Sequence, residues 1–217
     1  MVPVRPTLAA ERRARARGYR LIAGIDEAGR GCLAGPVVAA AVILRLESGS
    51  LLERIREVTD SKLLTPRQRE RLLREIEGVS VSMGVGVAPS WEIDAAGIVV
   101  ATRRAMARAV RALETRPDFL LIDALLVPES PYPQQAIVKG DRLSLSIAAA
   151  SILAKVKRDE WMDIFDQTWP GYRFGLHKGY ATALHRSALA ALGPCPIHRR
   201  TFAPVAALFG TGEEACP

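Results

Sequence analysis

Hydrophobic and polar positions alternate along this chain in patterns that change period several times. Leu21-Ile22-Ala23-Gly24-Ile25 is a short apolar run that predicts a buried strand, and Val37 to Leu46, rich in Val, Ile and Ala, predicts a second. Thr65-Pro66-Arg67-Gln68 opens a helix: Thr at the cap, Pro at the first helical position and Gln three after the cap form a capping box. Leu72, Leu73 and Ile76 give that helix its apolar stripe, and Gly78 is the expected stop. Val79, Val81, Met83, Val85 and Val87 then alternate with Ser80, Ser82, Gly84 and Gly86, which is period two and predicts an antiparallel strand with one face buried. A helical period follows from about 98 to 113, with Val99, Met106, Val110 and Leu113 on its stripe.

Phe119-Leu120-Leu121-Ile122 predicts a short, fully apolar strand that ends at Asp123, and Ala136-Ile137-Val138 another that ends at Lys139-Gly140-Asp141. Pro128, Pro131 and Pro133 mark the loop between them. A long Ala-rich helix is expected from Leu143 to about Trp169, broken by Pro170-Gly171, and a last one from about Tyr180 to Leu192, stopped by Gly193-Pro194. Strands first, then helices interleaved with short buried strands, describe an α/β fold: a mixed sheet with helices on its faces. Residues 1–18 read as a polar, Arg-rich arm, 19–209 as one domain and 210–217 as a frayed tail, with no internal repeat and no low-complexity linker.

Charge narrows the function classes. The 217 residues carry 30 Lys+Arg against 23 Asp+Glu, a net charge of +7, and 25 of the 30 cations are Arg. That balance favours a polyanionic partner, nucleic acid before an anionic membrane, and Arg suits bidentate phosphate contacts. With 49% hydrophobic residues the chain has a core to bury, which excludes wholesale disorder. Cys32, Cys195 and Cys216 lack any C-x-x-C spacing, so neither a disulfide scaffold nor a zinc knuckle is expected, and a reducing compartment is. The Arg-rich start followed by the apolar run 32–44 imitates a signal peptide, but Asp26, Glu27 and Arg30 intervene and Gly35-Pro36 breaks the run. Thirteen residues are also too few to span a bilayer, and the expectation is a cytoplasmic protein.

The candidate chemistry is in the carboxylates. Asp26-Glu27, Asp123 and Asp141 each follow an apolar strand at its carboxyl end, where ligand sites of open α/β sheets cluster. Acidic strand ends in a basic protein suggest a cluster that holds Mg²⁺ or Mn²⁺ through oxygen ligands. The competing reading is that such an Asp caps the following helix, and Asp141 before Leu143–Ser146 suits that role; the Asp26-Glu27 pair does not. Gly29-Arg30-Gly31 lets backbone approach a ligand closely and an Arg face phosphate, although a G-R-G alone is more often a turn. Neither a dinucleotide fingerprint nor a P-loop occurs, so a nucleotide cofactor is not expected. His177, His185 and His198 have no metal-ligand spacing and read as surface or loop histidines. His177-Lys178-Gly179-Tyr180 offers a cation for phosphate and an aromatic for a sugar or base.

Taken together, Gly24-Ile25-Asp26-Glu27-Ala28-Gly29-Arg30-Gly31, Asp60-Ser61-Lys62, Lys139-Gly140-Asp141 with Ser144 through Val156, His177-Lys178-Gly179-Tyr180 and Arg199-Arg200-Thr201-Phe202 resemble ribonuclease HII, in order, from about residue 19 to 205. The resemblance implies a ribonuclease H-like fold with a helical C-terminal extension. It implies a divalent-metal-dependent endoribonuclease that cuts the RNA strand of RNA/DNA hybrids and cuts 5′ to single ribonucleotides in duplex DNA, leaving 3′-hydroxyl and 5′-phosphate ends, as in ribonucleotide excision repair. The implied metal ligands and catalytic residues are Asp26, Glu27, Asp123 and Asp141, with Mg²⁺ or Mn²⁺ as a two-ion site. The implied substrate contacts are Gly29, Arg30, Gly31 and Tyr180, and Lys62, Lys139 and Lys178 are candidate phosphate contacts. The partners are RNA/DNA hybrid and ribonucleotide-containing DNA, with no membrane, a monomeric protein and no deducible protein partner. Members usually have Pro where Cys32 stands, often a second Lys where Leu63 stands, and commonly Gly-Asn where this chain has Ala124-Leu125. The sister family, ribonuclease HIII, has an extra N-terminal domain, for which the residues before Leu21 leave no room. A non-catalytic nucleic-acid-binding protein and a resolvase-type nuclease on the same scaffold are the alternatives.

Overall fold

Residues 5–209 are described by a computed structural model; the first four residues of the arm, the tail from Gly210 and Cys216 lie outside them. The chain runs α1 (Ala9–Ala16), β1 (Ile22–Ala28), β2 (Val37–Leu44), α2 (Leu51–Arg54), a 3₁₀ turn (Ser61–Leu63), α3 (Pro66–Val79), β3 (Ser80–Ala88), α4 (Ser90–Ala96) and α5 (Ile98–Arg111). It continues through β4 (Phe119–Asp123), β5 (Gln134–Ile137), a 3₁₀ turn (Gly140–Arg142), α6 (Leu145–Thr168), a 3₁₀ turn (Pro170–Tyr172), α7 (Phe174–His177), α8 (Ala183–Leu192) and α9 (Ala203–Ala206). The strands form one sheet in the order β3-β2-β1-β4-β5. β1, β2 and β3 pair antiparallel, whereas β4 pairs parallel to both β1 and β5, so the sheet is mixed as the pattern predicted.

Helices cover both faces. On one, α6 and α3 pack on Ala40, Val42 and Leu44; on the other, α5 packs on Ala23, Ile25, Ala39, Ala41 and Ile43. The capping box at Thr65 forms, with Gln68 amide donating to the Thr65 hydroxyl and the Gln68 side chain accepting from the Thr65 amide. Gly78 does not stop α3, which continues to Val79. The alternation of β3 is real, but the more buried side is Ser80, Ser82, Gly84, Gly86 and Ala88, while Val81 is exposed. The cause is α5: a Cβ on Gly84 or Gly86 would lie 2.2 Å from the Ala109 carbonyl or 2.1 Å from the Ala105 carbonyl, so only small residues admit the helix.

The Arg-rich arm is docked. Ala10 and Ala14 of α1 pack on Ile22, Phe119 and Leu121, and Thr7 exchanges backbone bonds with Leu143 and Leu145. Glu11, fully buried, accepts from the Ser144 hydroxyl at 2.6 Å and the Ser146 amide at 2.9 Å. A carboxylate at a helix N-terminus is favoured by the exposed amides and the helix dipole there.

Candidate active site

Strand register assembles the acids. β1 and β4 pair with Ile25 opposite Ile122, so Asp26 and Asp123, the next residues on the two parallel strands, are neighbours. Asp26 and Glu27 lie within β1, which continues to Ala28, and do not follow it. Asp123 is the last residue of β4, and its Oδ1 accepts from the Gly140 amide at 2.7 Å, which ties the Asp141 turn to it. Gly24 brings α6 in: a Cβ there would sit 2.1 Å from the Ser146 carbonyl carbon, so the sheet meets helix backbone directly. Asp141 does not cap α6. Ser144 does, its hydroxyl accepting from the Ile147 amide, and Asp141 is left for another purpose.

The electrostatics are those of crowded carboxylates. Burial, then Glu27 and Asp123, hold the Asp26 carboxyl well above the usual range. Burial also raises Glu27, against the pull of Arg30, whose guanidinium lies 3.2 Å away. Asp141 is raised by burial and by Asp60 and Asp123. Asp60, itself buried, is a fifth carboxylate at the cluster that the sequence did not place in the site; its Oδ2 pairs with Arg142 at 3.0 Å. Burial opposes charge on Lys62, but Asp60, Asp26, Asp141 and Asp123 outweigh it and raise the ammonium pKa.

The residues fit a hard divalent cation. The donors are all carboxylate oxygens, and Glu27 Oε2 is buried with no hydrogen-bond partner. Among the described residues no three of His, Cys, Asp and Glu stand ready around one point; Glu27 is held by Arg30 and Asp123 by the Gly140 amide.

Beside the acids, the loop from Gly29 to Pro36 is clamped by two buried arginines. Arg158 donates to the carbonyls of Pro36 at 3.0 Å, Lys178 at 2.9 Å and Ala34 at 3.2 Å. Arg199 donates to those of Gly29 at 2.6 Å, Arg30 at 2.7 Å and Gly35 at 3.0 Å. With the carbonyls engaged, the Gly29, Arg30 and Gly31 amides find no acceptor among the described residues. Gly29 has φ +93° and rests on Arg158; Gly31 is exposed and faces open space. From the sequence alone neither arginine has a role: Arg199 stands only within a family motif, and Arg158 is not singled out although it continues the buried stripe of Ile147, Ser151 and Ala154 along α6.

Tyr180 precedes α8, which begins at Ala183 with Thr182 as its cap, and so is not helical as expected. The residue is 39% exposed, with Lys155 Nζ 5.5 Å and the Arg158 guanidinium 5.9 Å from its ring centroid. Burial, then the Cys32 thiol, raise its hydroxyl pKa. Of the candidate phosphate contacts, Lys62 and Lys139 are exposed, while Lys178 is turned onto Asp163. The three histidines are not at the surface: His177, His185 and His198 are buried together behind Tyr180. Among the described residues no helix is long and apolar enough to cross a membrane.

The chain is similar to known proteins over most of its length. The family profile described as Ribonuclease HII matches residues 23–205. The chain is 52% identical over 206 residues to the ribonuclease HII of Dehalococcoides mccartyi, covering 94% of this chain and 96% of that one. It is 54% identical over 206 residues to the ribonuclease HII of Geobacter sulfurreducens, covering 95% and 92%. Among solved structures, the ribonuclease H2 of Pyrococcus horikoshii superimposes with a TM-score of 0.71 at 27% identity, covering 87% of this chain and 97% of that one.

Proposed function

The chain belongs to the ribonuclease HII family, and from that premise we propose that Asp26, Glu27, Asp123 and Asp141 hold two divalent ions, Mg²⁺ or Mn²⁺, at which the backbone of a ribonucleotide-containing strand is cut. The protein is a ribonuclease H, an enzyme acting on RNA/DNA hybrids, so the reading of it as a non-catalytic binding protein falls away. The finer proposal is that it also cuts 5′ to a single ribonucleotide in duplex DNA and leaves 3′-hydroxyl and 5′-phosphate ends.

The observation that carries this reading is the juxtaposition of crowded carboxylates, one buried Glu27 oxygen among them without a partner, with a loop whose carbonyls are tied down and whose amides are free. The chemistry that bound ions supply in such a place is polarisation of the phosphate, activation of water and stabilisation of the leaving 3′-oxygen. Carboxylates with raised proton affinity must release their protons as cations bind, so occupancy of the cluster rises with pH.

Everything else falls to the chain's own groups. Only the 2′-hydroxyl distinguishes ribose from deoxyribose. In this reading the Gly29–Gly31 amides hydrogen-bond it, on a loop that Arg158 and Arg199 hold by its carbonyls. Tyr180 packs on the neighbouring sugar with its ring braced by Lys155 and Arg158. Lys62, kept charged by the acids, and Lys139 meet phosphates, and the net charge of +7 draws the duplex in. Asp26→Asn and Asp141→Asn preserve shape and remove charge. With saturating Mg²⁺ both should bind an RNA/DNA hybrid and fail to cut it; substantial turnover by either would overturn the assignment.

A further inference from the structure

All three histidines of the chain lie in one buried cluster behind the recognition loop, at 7%, 0% and 2% exposure for His177, His185 and His198. His177 stacks on His185 with ring centroids 4.3 Å apart, and Phe174 meets both edge-on. No carboxylate bonds to any of them among the described residues; their ring nitrogens meet backbone groups, each other and the Cys195 thiol.

The partners dictate where each proton sits. His185 Nδ1 is 2.9 Å from the Tyr180 carbonyl, which only accepts, so Nδ1 carries the proton. The neutral ring then presents a lone pair at Nε2, which faces His198 Nε2 at 3.1 Å; His198 Nε2 is therefore the donor. His198 Nδ1 is left to accept, and the Cys195 amide at 3.0 Å and thiol at 3.2 Å supply the protons, the Cys195 carbonyl being farther away at 3.3 Å. His177 Nδ1 accepts from the Gly179 amide and its Nε2 donates to the Tyr172 carbonyl at 2.8 Å.

This chain of bonds closes a ring through the recognition site. Leu33 donates to the Gly179 carbonyl at 2.9 Å, joining the loop to the segment that carries Tyr180. On the other side Arg199 donates to Leu33 and Gly35 donates to Ile197, a short antiparallel bridge centred on Ala34 and His198. The His185–His198 bond links the two sides. Apolar rings would fill the same volume without desolvating six ring nitrogens. What they would not supply is a directional tie from the Tyr180 carbonyl to residues 195–199.

We propose that His185 and His198 are positioning residues whose hydrogen bond fixes the separation between Tyr180 and the Gly29–Gly31 loop, and so sets how well a ribose-containing junction is aligned for cleavage. The inference rests on the roles given above to Tyr180 and the loop.

The test compares His198→Leu, which keeps volume and loses the donor, with His198→Gln, whose amide reaches the Nε2 position and can still donate to His185. Both are measured beside Tyr180→Ala on a duplex with one ribonucleotide. His198→Leu should lower the single-turnover rate at least about tenfold with duplex affinity little changed, and His198→Gln should restore most of it. A folded His198→Leu at the wild-type rate, or a His198→Gln as slow as His198→Leu, overturns the proposal. If Tyr180→Ala itself cuts normally, the recognition reading fails; if it is slow while His198→Leu is not, the relay alone fails. Should His198→Leu not fold, long-range ¹H–¹⁵N spectra of the wild-type protein decide: neutral rings protonated at His185 Nδ1 and His198 Nε2 support the relay, and the opposite tautomers refute it.

Discussion

Adding one methyl group at each of two glycines, two residues apart, should have opposite consequences. At Gly29 the backbone has φ +93°, which costs an alanine roughly 1–2 kcal/mol. The new Cβ would lie 1.9 Å from Arg158 Nε and 2.5 Å from its Cδ. Arg158 cannot swing away without releasing the Pro36, Lys178 and Ala34 carbonyls, so overpacking adds about 1–3 kcal/mol. Gly29→Ala should therefore lose about 2–5 kcal/mol, a fall in Tm on the order of 5–15 °C for a chain of this size. At Gly31 an added Cβ meets nothing within 4 Å, so stability should stay within about 0.5 kcal/mol of wild type. That empty space is where the ribose-bearing strand is proposed to lie, and displacing it by a methyl's width should slow cleavage roughly a hundredfold. Thermal melts and single-turnover rates on a single-ribonucleotide duplex read both effects. Undiminished cleavage by Gly31→Ala would refute the loop as the ribose reader, and an unchanged Tm for Gly29→Ala would refute the arginine clamp.

Three further outcomes are expected. In chelator, Asp26→Asn should melt above the wild type: the folded acids bind protons more tightly than unfolded ones (ordinary value 3.8 for Asp26), so wild-type stability falls as pH rises through the raised values, and the margin should grow from about pH 4 upward; a margin that shrinks would contradict the crowding. His198 has the opposite sign: burial lowers its pKa from 6.5 to about 4, so the folded state binds fewer protons in that window, and the stability advantage of wild type over His198→Gln, read by urea unfolding, should shrink by about 3 kcal/mol from pH 7 to pH 4. Ala124 adopts φ +54° directly after Asp123, so Ala124→Gly should gain about 0.5–1 kcal/mol in urea unfolding, and a loss would show the strain is absent.

Much of this was legible in the chain because periodicity and caps are local. The capping box at Thr65, the period-two strand β3 and the acids at 26, 123 and 141 were readable without a fold. What was not legible depends on partners distant in sequence. Which side of β3 is buried is decided by how closely α5 approaches it, a fact about residues 105–109. Tyr180 was drawn into a helix because its segment is apolar, although Thr182 three residues before His185 is a cap signal. The histidines read as surface or loop groups because imidazole usually is, and nothing local marks Arg158 or Arg199 as buried; here five carbonyls of the 29–36 loop, that of Lys178 and a chain of hydrogen-bond partners satisfy them inside. The fifth carboxylate, Asp60, belongs to the Asp60-Ser61-Lys62 motif, but nothing local shows that its turn comes close to Asp141.

The most direct test of the central claim is cleavage of a DNA duplex carrying one ribonucleotide, against the same duplex without it, with Mg²⁺ and with chelator, and with the product ends mapped. A single cut 5′ to the ribonucleotide, leaving a 3′-hydroxyl and a 5′-phosphate, only with Mg²⁺ and only on the ribonucleotide duplex, is the predicted result. Cleavage in chelator, cutting of the all-DNA duplex, or a cut elsewhere would contradict it.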